Sequence, residues 1–329
     1  MATAYLKTQE GVRSLQLTRI ADLPSETIWL DLLQPSPEDE RLVESFLGIE
    51  VPSEQEIEEI EDSSRFYQKS TGIYLTVSLL TRLNGGQPSS TDVRFILTPD
   101  RLISVRYIES KPFRIFSNRI LHDREASESS DIIMERMLEL VVDDLADILE
   151  ETALSLDRLA HKVFFSSVPN EKTESDVEST DLKEMITEIG RYGEFISEAR
   201  LSVFNMNRLL IFLSHTGAKW WKPDARVRLQ TLLRDIRSLT EHATFLANRV
   251  NFILDATLGM INIEQNKIIK IFSVAAVVFL PPTLIASVYG MNFKHLPELQ
   301  WTFGYPLSIC LMIMAAVLPY WYFKRRGWL

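Results

Sequence analysis

The sequence predicts an α+β cytoplasmic domain, a long stalk helix and two C-terminal transmembrane helices. Three observations carry this. The first 110 or so residues mix strand-like and helix-like patterning. From about Ser129 the pattern turns helical and stays so. Two uncharged, mostly apolar runs, Ile271 to Tyr289 and Phe303 to Phe323, close the chain. Each is long enough for a hydrocarbon core of about 30 Å at about 1.5 Å rise per residue.

In chain order, Thr27–Leu32 reads as a buried strand. Ser36–Leu47 reads as a helix, with Pro37 in the first turn and Glu38, Asp39 and Glu40 where the helix dipole favours acids. Gly72–Leu83 and Thr91–Tyr107 are rich in Ile, Val, Tyr and Thr and read as strands joined by the loop Asn84–Ser90. A turn at Thr98–Arg101 splits the second into Val93–Leu97 and Leu102–Tyr107. Residues 1–128 are thus an α/β domain. Residues 129–222 are a helical region, with helices over Ile132–Phe165 and Asp181–Ser214 and a polar connection at 167–180.

From Asp224 to Pro281 there is no proline. Leu232, Ile236, Leu239, Ala243, Leu246, Val250, Ile253, Thr257 and Met260 alternate at spacings of three and four, the repeat of a helix packed on helices. Residues 223–270 are therefore a stalk helix running directly into the first span, 271–289. A helix of about 65 residues is about 100 Å long, which predicts identical chains side by side. The outer loop is 290–302, the second span 303–323, and a basic tail 324–329 follows. Lys267 and Lys270 before the first span and Lys324, Arg325 and Arg326 after the second place both termini in the cytoplasm.

Net charge is -10, which argues against a nucleic-acid partner. The single cysteine, Cys310, excludes a disulfide framework. His122, His161, His215, His242 and His295 show no metal-binding helical spacing, and no glycine loop suits phosphate, so no catalytic residue is expected. An acidic run at Glu54–Asp62 reads either as a solvated helix face or as a divalent-ion contact.

Two helices enclose no lumen, so a conduction path needs several copies. Polar groups within a span face one another or water, or, for Ser and Thr, bond back to their own helix. Asn266, Ser273, Leu280, Thr283, Ser287 and Met291 fall on or near one face of the first span. Asn292, just beyond it, offers a neutral carbonyl oxygen that suits a hydrated cation, and Gly290 permits close approach.

Tyr289-Gly290-Met291-Asn292-Phe293, Leu296-Pro297-Glu298-Leu299, Trp301, Phe303-Gly304-Tyr305-Pro306 and the tail Tyr322–Leu329 resemble the CorA family of magnesium channels, continuously from about Asn262. Ile271–Val274 and Phe279–Leu284 resemble its proteobacterial branch. The resemblance implies a funnel-shaped homopentamer in the inner membrane. It implies a Mg²⁺ channel, passing Co²⁺ and Ni²⁺ secondarily, with Gly290, Met291 and Asn292 as selectivity filter. Asn266, Ile269, Phe272, Leu280 and Thr283 match pore-lining positions, and Glu298 is the outer-loop carboxylate that attracts cations. It also implies regulation by intracellular Mg²⁺ at acidic sites between cytoplasmic domains, with Glu56 and Asp235 in the right regions. Many relatives carry an acid directly after the motif's Phe; here Lys294-His295 stand instead. The alternatives are a proton-coupled zinc transporter of the same fold, which the Met291 position and the Pro-Glu-Leu loop disfavour, and a membrane-anchored sensor.

Overall fold

The computed structural model describes residues 2–9, 11–17, 19, 22–49, 65–82, 88–123, 128–165, 176–216, 223–291, 301 and 303–327. The chain divides into two compact units, Met1–Ile253 and Leu254–Leu329.

The first unit is built on a seven-stranded sheet: β1 (Ala2–Thr8), β2 (Gly11–Leu17), β3 (Thr27–Leu33), β4 (Phe66–Lys69), β5 (Gly72–Arg82), β6 (Pro88–Leu97) and β7 (Leu102–Arg106). Its order is β2-β1-β3-β7-β6-β5-β4. The β3–β7 pair is parallel and the other neighbours are antiparallel. Pro88, Ser89 and Ser90 belong to β6, paired with Arg82, Thr81 and Leu80, rather than to the expected loop. Proline is tolerated there because it is the first residue of its strand. The β1–β2 hairpin and β4 were not foreseen.

Helix α1 (Pro37–Leu47) starts on a capping box in which Ser36 and Asp39 exchange hydrogen bonds. The Ser36 backbone N–H holds the Asp39 carboxyl below its usual range. Gly48 closes the helix in the left-handed conformation, φ 62°. Val43 of α1 joins a cluster with Leu30, Leu32, Ile96, Ile103 and Val105 on one sheet face.

Alternation along the strands sends Trp29, Asp31, Phe95, Ser104 and Arg106 to the other face. Helix α2 (Lys111–Arg119) covers them. Trp29 stacks on Tyr5 at 4.2 Å and meets Phe116 edge-on at 5.2 Å. Arg106 grips Asp31 with Nη2 at 2.8 Å and Nε at 3.1 Å and lies 4.7 Å from the Phe113 ring centre. Ser104 Oγ donates to Asp31 at 2.8 Å and accepts from Trp29 Nε1 at 2.9 Å. This buried network ties the parallel strand pair together.

Three long helices follow: α3 (Ser130–Phe165), α4 (Asp176–His215) and α5 (Pro223–Tyr289). Helix α4 starts five residues before the expected Asp181, inside the stretch expected to be a polar connection. Leu232, Ile236, Ala243, Leu246, Val250 and Ile253 of α5 are buried within the chain itself. Arg249 pairs with Asp157 of α3, Phe252 lies 5.8 Å from Phe164, and Val250 packs by Gly193 of α4. The three-four repeat over these residues thus reports packing on α3 and α4. It is not by itself a sign of a second copy. Arg228 near the start of α5 pairs with the buried Glu135 of α3 at 2.7 Å. Burial pushes the Glu135 carboxyl up to about 7, against the attraction of Arg228 and Arg136.

Candidate functional site: the C-terminal helix pair

The second unit contains the C-terminal half of α5, and α6 (Gly304–Arg325). Both helices are long and apolar enough to cross a membrane. Only 6% of the apolar stretch of either helix is buried, unlike the core helix of a soluble protein.

What is buried falls on one side. On α5, Val274 is buried, and Ala275, Val278, Pro281, Pro282, Ile285 and Tyr289 are half-buried. At 3.6 residues per turn they share a face. On α6 the matching set is Gly304, Ser308, Leu311, Met312, Ala315, Ala316, Pro319 and Phe323. This stripe includes the small residues Gly304, Ser308, Ala315 and Ala316. Lys270 Nζ donates to the Gly327 carbonyl at 3.4 Å, joining the two helices at one end.

The expected pore-lining residues lie on the opposite side of α5. Ile269, Phe272 and Leu280 are 61%, 71% and 66% exposed, and Asn266 and Thr283 are exposed as well. The face that α5 leaves uncovered is therefore the one bearing Asn266, Ser273, Thr283 and Ser287. Two of its hydroxyls are tied to their own helix. Thr283 Oγ1 donates to the Phe279 carbonyl at 2.8 Å and Ser273 Oγ to the Ile269 carbonyl at 2.7 Å. Their hydrogens are used inward, so the oxygen lone pairs are what they offer outward. Pro281 and Pro282 remove the amides that would bond the Val277 and Val278 carbonyls, yet the helix continues through them.

At the end of α5 the Gly290 amide donates to the Ala286 carbonyl at 2.9 Å. A Cβ on Gly290 would sit 3.1 Å from that carbonyl oxygen, closer than side chains normally come. Gly290 is not in the left-handed region, so close approach is what the glycine provides. Met291 is 47% exposed. Asn292, Lys294, Glu298 and Glu56 lie outside the described residues.

Asp235 is exposed on α5. It adds to the repulsion that, after burial and with Glu139 and Asp147, raises the Asp143 carboxyl of α3 above its usual range. Among the described residues, no three such side chains converge closely enough to hold a metal ion.

A family model described as CorA-like Mg²⁺ transporter protein matches residues 24–325. The chain belongs to the CorA family. The magnesium transport protein CorA of Wolinella succinogenes is 36% identical over 311 residues, covering 93% of this chain and 92% of the relative. That of Salmonella typhimurium is 34% identical, covering 92% of each. In fold, the complete CorA magnesium transporter of Methanocaldococcus jannaschii matches all of this chain with TM-score 0.79 at 18% identity. The ZntB cytoplasmic domain of Vibrio parahaemolyticus matches 79% of it with TM-score 0.59 at 12% identity. The fold of the soluble part is thus shared with that domain as well.

Sequence reading missed the α5–α6 contact faces. The recurrence of small residues at Gly304, Ser308, Ala315 and Ala316 carried that signal.

Proposed function

We propose that this CorA-family chain forms a channel through which Mg²⁺ enters the cell down the membrane potential. The observation that carries the reading is the uncovered face of α5. It bears Asn266, Ile269, Phe272, Leu280 and Thr283 and points away from α6. Hydroxyls bonded back to their own helix are tolerated in an apolar solvent, and their outward oxygens also suit a water-lined path between copies. Several copies, five by resemblance to the family, arranged with these faces inward would line a path. Phe272, Leu280 and Ile269 supply its hydrophobic constriction, and Asn292, Met291 and Gly290 its outer filter.

The potential acts on two charges per ion, about 4.6 kcal/mol per 100 mV at about 2.3 per charge. Mg²⁺ sheds water reluctantly, so neutral oxygens contacting its hydration shell suit both selection and release. Co²⁺ and Ni²⁺ are proposed as secondary ions. Glu298 would draw cations to the mouth, offset by Lys294. The inner membrane is the proposed location, with both termini cytoplasmic, and no catalytic residue is assigned. Cells lacking other importers should grow at low Mg²⁺ when they express the chain. Growth no better than that of empty cells would overturn the reading.

Regulation by intracellular Mg²⁺ is part of the proposal, with Glu56 and Asp235 as the contributing acids. The Asp235–Asp143 repulsion is the motive, because a cation relieves it. Resistance of the purified protein to protease should therefore rise with millimolar-order Mg²⁺. An unchanged digestion rate would remove Mg²⁺ from these surfaces.

A further inference from the structure

The end of α6 carries three stacked cation–aromatic pairs. Lys324 Nζ lies 5.9 Å from the Tyr320 ring centre, the Arg325 guanidinium 5.3 Å from Trp321, and the Arg326 guanidinium 5.5 Å from Tyr322. Each pair spans four residues, so each cation folds back along the helix toward its apolar part. The three aromatic residues are 45%, 57% and 53% exposed. Lys270 of α5 joins them through its bond to the Gly327 carbonyl. Gly327 ends the helix in the left-handed conformation, φ 72°.

Charge at this end is not balanced. Lys267 pairs with Glu264 at 3.6 Å. Among the described residues, Lys270, Lys324, Arg325 and Arg326 make no ion pair with a carboxylate. From Gln265 to Leu329 the sequence has a single acid, Glu298. These cations lie alongside the helix at the depth of its aromatic side chains. Tyr and Trp settle at headgroup level in a bilayer.

We propose that Lys324, Arg325 and Arg326, with Lys270, form a docking surface for the headgroup phosphate of an anionic phospholipid. Charge complementarity selects the occupant: a basic cluster directly after an apolar helix meets the headgroup layer first. The aromatic partners hold the cations beside the helix, which reduces the order lost on binding. The inference rests on the reading that α6 spans a bilayer.

The test is native mass spectrometry of the full chain in detergent with added phosphatidylglycerol or phosphatidylcholine. Phosphatidylglycerol should be retained preferentially, and the preference should fall as salt rises. The combined variant Lys324→Gln, Arg325→Gln, Arg326→Gln should lower that preference by about a hundredfold, since each cation near an anionic surface contributes about fivefold. A variant of two cations on α5 of the first unit, Arg226→Gln with Arg237→Gln, should leave it unchanged. If the triple variant does not assemble, Arg325→Gln alone should give about a fivefold loss. Undiminished preference in these tail variants overturns the proposal. So does displacement of phosphatidylglycerol by inorganic phosphate, which would make this a free-phosphate site. Retention of phosphatidylcholine without preference removes only the docking surface. Loss of both lipids removes the membrane-spanning reading beneath it.

Discussion

Asn292→Ala abolishes Mg²⁺ uptake in cells lacking other importers while leaving the assembled protein intact. The side chain follows directly on the last described turn of α5, where the Gly290 amide still bonds the Ala286 carbonyl. In an oligomer, one carbonyl oxygen per copy would meet the ion's water shell. A hydrogen bond involving a charged group contributes about 1.5–3 kcal/mol, and alanine removes it from every copy at once. Lys294 and Glu298 cancel within each loop, so charge alone cannot substitute. Uptake should drop to the level of cells without the chain. Uptake at the normal rate by an assembled Asn292→Ala protein would remove the residue from the filter.

Arg106→Met has the largest expected effect on the soluble unit. It leaves the Asp31 carboxylate buried, with Ser104 Oγ as its remaining side-chain donor. Removing one partner of a buried pair costs about 3–5 kcal/mol. The melting midpoint of the detergent-solubilised chain should drop by about 10 °C, at about 2–4 °C per kcal/mol for a unit of this size. Asp31→Asn added to Arg106→Met should recover much of the loss, because an amide oxygen still accepts from Ser104 without a charge to bury. A drop within about 2 °C for Arg106→Met would mean that the pair contributes little to holding β3 against β7.

Local chemistry was legible where it acts within a few residues. Ser36, Pro37 and Asp39 announce α1 because a cap needs only its own turn. The β1–β2 hairpin was not legible. Ala2–Thr8 carries small and polar residues, and its place is fixed by cross-strand contacts such as Tyr5 on Trp29. The three-four repeat of α5 gave the period of a buried face and not the identity of what buries it. That turned out to be α3 and α4 over Leu232–Ile253. Within the helix pair, spacing placed the polar stripe on one side of α5. Of the two readings of its hydroxyls, the structure has Ser273 and Thr283 bonded back to their own helix, and it adds that the buried residues of α5 lie on the opposite side. The role of Asn292 came from the motif around it, because a lone asparagine after an apolar helix has no distinctive signature.

This chain alone should provide a passive path for Mg²⁺. Purified protein in liposomes, loaded with an ion-sensitive dye, tests it directly. Mg²⁺ entry should follow an imposed inside-negative potential, exceed Zn²⁺ entry and be indifferent to a proton gradient. Entry of Zn²⁺ that requires a proton gradient, with no entry of Mg²⁺, would contradict the account.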